Sequence, residues 1–208
     1  MARRVETQLP ESGGGRPLEP PVGRDGGGAP GVFGDTRFVG LLAFLGTVTM
    51  LFVGFTSSYM LRRSSPDWAP VSAPHLLWVN TALLAASSLA LEWARRALRA
   101  YDAQVTQRAF GVVGLLGLGF VFGQFGAWRQ LADAGVFMAT NPHSSFFYML
   151  TGVHVLHVAG GLAWYAALAV ALGRGRVTLG GDGLGLFALY WHFLGGLWLY
   201  LVALLFWM

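Results

Sequence analysis

The sequence predicts an all-α integral membrane bundle of five transmembrane helices with a disordered N-terminal tail. Three observations predict it. Of the 208 residues, 54% are hydrophobic and only 12% are charged, where a soluble domain carries about 25% charged residues. Five apolar segments follow one another, each about as long as the roughly 20 residues a helix needs to cross a bilayer. The residues before them have a wholly different composition.

That leading stretch, residues 1–36, contains "ESGGGRPLEPPVGRDGGGAPG". It is rich in Gly and Pro, with scattered charges and almost no bulky apolar side chain. Such a segment cannot bury enough surface to offset its ordering entropy, so it reads as a disordered cytoplasmic tail. No apolar run follows Arg3 and Arg4 closely enough for a signal peptide. The membrane domain is then residues 37–208.

The apolar segments are approximately Phe38–Leu61, Ala73–Leu91, Ala109–Trp128, Phe146–Leu172 and Leu184–Met208. None has an Asp, Lys or Arg in its interior, and Glu92 falls just past the end of the second. Helices satisfy their own backbone groups in lipid, so each segment is expected to be one. Pro66, Pro70, Pro74 and Pro142 mark turns or first helical turns in the connections.

Positive loops stay in the cytoplasm. The tail, with Arg37 directly after it, and the second and fourth connections hold eleven arginines, among them Arg95, Arg96 and Arg99; the other side holds Arg62, Arg63 and Arg129. The N-terminus is therefore expected in the cytoplasm and the C-terminus on the opposite face. The chain has no lysine and no cysteine, which excludes disulfides and thiolate chemistry. There is no interleaved basic and aromatic patch for nucleic acid, and no P-loop, nucleophile triad or dinucleotide fingerprint.

The polar groups inside the spans are few. "FFYMLTGVHVLHVAGG" places His154 and His157 three residues apart, on one helix face. "YWHFLGGLW" adds His192. At 1.5 Å per residue, His157 and His192 lie at similar depths, roughly 16 and 18 Å from the outer surface, so the two are expected to meet. A bis-histidine haem uses such a pair; an interhelical hydrogen bond without metal is the alternative. Gly152, Gly160, Gly161, Gly195 and Gly196 lie beside these histidines and favour close helix packing. Gln124, in "GFVFGQFGAW", reads as an interhelical amide, and Asn80 and Thr81 read the same way. The tryptophans fall mostly near span ends, as an aromatic belt does.

"SSFFYMLTGVHVLHVAGGLAWY" followed by "YWHFLGGLWLYLVALLFW" resembles the two signature segments of subunit III of the haem–copper terminal oxidases. "PHLLWVNTALLAASSLALEWARR", "LGLGFVFGQFGAWRQL" and "TMLFVGFTSSYMLRR" resemble that family's other spans. The resemblance covers residues 37–208 and matches the short, five-span bacterial form. It implies an accessory subunit of cytochrome c oxidase type in the bacterial plasma membrane. Such a subunit carries no haem or copper of its own, those cofactors lying in partner subunits.

The implied partners are oxidase subunit I, the main contact, oxidase subunit II and membrane phospholipids, with no nucleic acid. The implied roles are lipid holding, support of proton uptake and protection during turnover. Packing or lipid contact would fall to His154, His157, His192 and Trp191, with Gln124 an interhelical amide. Arg95, Arg96 and Arg99 would meet cytoplasmic head groups. Carboxylates that family members commonly carry are replaced by Val48, Ala127 and Gly195, which leaves no ionisable carboxylate expected at membrane depth. The competing reading is a membrane cytochrome b with His157 and His192 as haem ligands. A small transporter is disfavoured by the lack of charged membrane residues.

Overall fold

A computed structural model describes residues 36–174 and 183–207. The tail lies outside the described residues except for Thr36, as does Arg176. Five helices make up the fold: α1 (Thr36–Arg62), α2 (Leu76–Arg99), α3 (Ala103–Asp133), α4 (Pro142–Gly173) and α5 (Gly183–Phe206). Each is long and apolar enough to cross a membrane. The described residues contain no strand.

The helices outrun the apolar segments that predict them. α2 continues through Glu92 to Arg99, and α3 begins at Ala103 rather than Ala109. The connection between them shrinks to residues 100–102. The reason is capping. Asp102 accepts from the Val105 N–H at 2.9 Å and fixes the start of α3. Asn141 and Ser144 form a reciprocal capping box with Pro142 in the first turn, so α4 starts four residues before Phe146. Hydrophobicity marks where a helix meets lipid; caps mark where it ends.

α2, α3, α4 and α5 close a ring of neighbours: α2 packs on α3, α3 on α4, α4 on α5 and α5 on α2. α1 stands outside this ring, against α4 and α5 only. Its buried residues form one narrow stripe, Leu45, Val48, Phe52 and Tyr59. Neighbours within the ring run antiparallel, as short connections require.

Lipid tails are as apolar as leucine, so close packing and internal hydrogen bonds hold membrane helices together. The α2–α3 seam shows both. Gly119, Gly123 and Gly126 line it, and a Cβ at Gly123 would overlap Asn80 Oδ1. The glycine Cα–H that such a Cβ would replace therefore points at that oxygen, a weak C–H···O contact. On the next face of α3, a Cβ at Gly114 would overlap the Tyr165 ring, and Gly117 faces Leu162 and Trp191.

Three tryptophans depart from the expected belt. Trp191 and Trp198 are buried within the ring, and Trp128 is partly buried. Each indole donates to a hydroxyl on another helix: Trp191 to Ser87 at 2.9 Å, Trp198 to Thr81 at 3.0 Å and Trp128 to Thr151 at 3.0 Å. A buried indole N–H needs such a partner. The belt reading fits Trp78, Trp93 and Trp207, which are exposed.

Candidate functional site

The polar side chains within the bundle fall into three layers. At the end holding the α2–α3 connection, Glu92 Oε1 accepts from His192 Nε2 of α5 at 3.2 Å and from Arg95 one turn along α2. Both Glu92 and His192 are partly exposed, at 36%. Glu92 sits seven residues before the end of α2, about 10 Å along the axis. A carboxylate thus does stand within a membrane-crossing helix, contrary to the expectation from its position after Leu91. The extension of α2 to Arg99 accounts for it.

Midway, Asn80 of α2 donates to Gln124 Oε1 of α3 at 3.0 Å, and both are fully buried. His154 of α4 is also fully buried. It packs between Phe120 and Trp198, with ring centroids 5.7 and 5.2 Å away. Its Nε2 donates to the Leu194 carbonyl of α5 at 3.0 Å.

At the opposite end, His143 is buried in an aromatic cluster of Tyr59, Trp68 and Phe206. Its Nδ1 accepts from the Val71 N–H at 3.1 Å, and its Nε2 meets the Leu205 carbonyl at 3.1 Å. A backbone N–H can only donate, so the ring proton is on Nε2 and is given to Leu205. One imidazole thereby ties the α1–α2 connection, the start of α4 and the end of α5. The sequence reading places His143 in a loop and misses it. The signal was present in "NPHSS", where Asn, Pro and Ser in helix-start positions put the histidine inside the first turn.

His157 and His192 do not meet. His157 turns toward α1, near Phe44 and Phe52 at 6.4 and 6.1 Å, and its Nδ1 donates to its own helix at Val153 O, 2.7 Å away. His192 turns toward Glu92 on α2. The turns that carry them are neighbours: the Tyr190 hydroxyl, two residues before His192, donates to the His157 carbonyl at 2.8 Å. The azimuths differ. Two residues along a helix is about 200° of rotation, so while Tyr190 faces α4, His192 faces away from it. α1 and α2 share no packing. The bis-histidine pair needed for a haem is therefore not assembled, and α4 meets α5 through His154 instead.

Trp191 is buried with its indole on Ser87, and Gln124 is buried on Asn80. Arg95 engages Glu92, while Arg96 and Arg99 are exposed at the same end of α2. Among the described residues, no three His, Cys, Asp or Glu side chains come together as a metal-ligand set. The arrangement joins helices across the bundle and leaves one carboxylate–imidazole pair partly open at one end.

The family described as "Cytochrome c oxidase subunit III" matches residues 35–208. "Cytochrome c oxidase subunit 3" of Bacillus sp. (strain PS3) is 30% identical over 179 residues, covering 83% of this chain and 86% of that protein. The protein of the same description from Synechocystis sp. is 32% identical over 182 residues, covering 83% of this chain and 76% of its own. "Probable cytochrome c oxidase subunit 3" of Mycobacterium bovis is 29% identical over 174 residues, covering 81% of this chain and 86% of that protein.

Proposed function

The chain belongs to the cytochrome c oxidase subunit III family, and from that premise we propose that it is a non-catalytic accessory subunit of a proton-pumping haem–copper terminal oxidase. In this reading it packs against catalytic subunit I, with subunit II in the same complex. The haems and copper are held by those partners. It holds phospholipids, supports proton uptake into the catalytic subunit and protects the complex during sustained turnover.

The observation that carries the reading is how the buried imidazoles are engaged. His143 and His154 each bind a backbone carbonyl of α5, so they join helices instead of converging on a common ligand. The proposed orientation puts the N-terminus and the Arg95 end in the cytoplasm of a bacterium and the C-terminus in the periplasm. Arg95, Arg96 and Arg99 then lie where anionic head groups attract arginine, at about 1 kcal/mol each near the surface. Glu92 adds a carboxylate to the same surface, beside His192.

The test compares the oxidase with and without this chain. A complex stripped of it keeps its haem and copper spectrum and its initial rate of oxygen uptake, and loses activity faster over many turnovers. Loss of the spectrum, or a complex inactive from the first turnover, refutes the accessory reading.

A further inference from the structure

Three buried polar atoms inside the ring of α2 to α5 have no hydrogen-bond partner among the described residues: Asn80 Oδ1, Gln124 Nε2 and His154 Nδ1. Their residues are all fully buried. Buried polar groups are paired as a rule, with protein or with ordered water.

The three residues fall at one level. On facing sides of α3 and α4, Gly114 lies against Tyr165, Gly117 against Leu162 and Trp128 beside Thr151. Each step along α3 is thus matched by a step back along α4, and Gln124 falls level with His154 and Val155. Phe120, one turn before Gln124 on the same face, touches the His154 ring. Asn80 is already bonded to Gln124.

The atoms also complement one another. The Leu194 carbonyl requires the His154 proton on Nε2, which makes Nδ1 an acceptor. The contact at Gly123 suits an oxygen and not an amide N–H, which sets Asn80 Oδ1 there and turns Nδ2 to Gln124 Oε1. Gln124 Nε2 is then a donor. One donor and two acceptors remain, the complement of a water that accepts once and donates twice.

We propose that a single water molecule is bound between Asn80, Gln124 and His154, accepting from Gln124 Nε2 and donating to His154 Nδ1 and Asn80 Oδ1. Buried waters typically make about three hydrogen bonds of this kind. One branch runs in a single sense from Asn80 through Gln124, the water and His154 to the Leu194 carbonyl, and the other returns from the water to Asn80. The first crosses all four helices of the ring and fixes the tautomer of His154.

The test uses the assembled oxidase, imaged by electron cryomicroscopy at a resolution that shows ordered water. A peak within about 2.7–3.2 Å of all three atoms is expected. A peak missing any of the three, no peak, or direct contact between Gln124 Nε2 and His154 Nδ1 overturns the proposal. A second measurement is solid-state NMR of the complex in lipid with 15N-labelled histidine. Magnetisation should pass from water to His154 Nδ1 in the parent and fall several-fold in Gln124→Leu. Absence in the parent, or an unchanged transfer in the variant, counts against the site.

Discussion

Glu92 of α2 and His192 of α5 meet carboxylate to imidazole at 3.2 Å, and Arg95 reaches the same oxygen. Two donors on one partly exposed acceptor make each contact dispensable. Partly exposed ion pairs contribute about 0–1 kcal/mol. We therefore expect His192→Phe to lower the unfolding free energy of the chain by less than about 1 kcal/mol, since Arg95 still holds the carboxylate.

His143 gives the opposite result. His143→Phe removes the partner of the Val71 N–H and of the Leu205 carbonyl together. Leaving these two groups unmet costs about 2–6 kcal/mol, at about 1–3 kcal/mol per group. Denaturation of both variants under one condition should place His143→Phe well below His192→Phe. The reverse order would show that the aromatic cluster tolerates the loss.

Two glycines of ordinary appearance should behave differently. A Cβ at Gly123 would overlap Asn80 Oδ1, while one at Gly196 meets nothing within 4 Å. Gly123→Ala is expected to displace the Asn80 amide from its place against α3 and cost about 1–3 kcal/mol. Gly196→Ala is expected to be neutral or to stabilise by up to about 1 kcal/mol through the helix backbone. Thermal inactivation of the two variants separates these outcomes.

Orientation is open to direct measurement. The proposed orientation, which rests on eleven arginines against three, puts the tail and the second and fourth connections in the cytoplasm. With five spans, a reporter fused after Met208 should be active in the periplasm. Cytoplasmic activity there would overturn the proposed orientation.

The number of helices was legible in the sequence because each apolar run is long and separated by polar residues. Their ends were less so. Leu91 ends an apolar run but not a helix, since Ala94, Ala97 and Leu98 continue the buried face of α2 past Glu92. The amide reading of Gln124 anticipated its bond to Asn80. The pairing of His157 with His192 failed because depth can be counted along a sequence, whereas azimuth depends on which neighbour each face meets. His143 lay beyond the apolar run, so a search for deep polar residues passed over it.

The isolation of α1 bears on the order in which the molecule is made. Of the five helices α1 leaves the ribosome first, yet among the described residues the helices it packs on are α4 and α5, which are synthesised last. Neither α2 nor α3, which follow it, offers it a packing partner within the chain's described helices. α2 is the least hydropathic of the five helices. α2, which carries Asn80, Ser87 and Glu92, is followed after a three-residue turn by the helix that covers its amide.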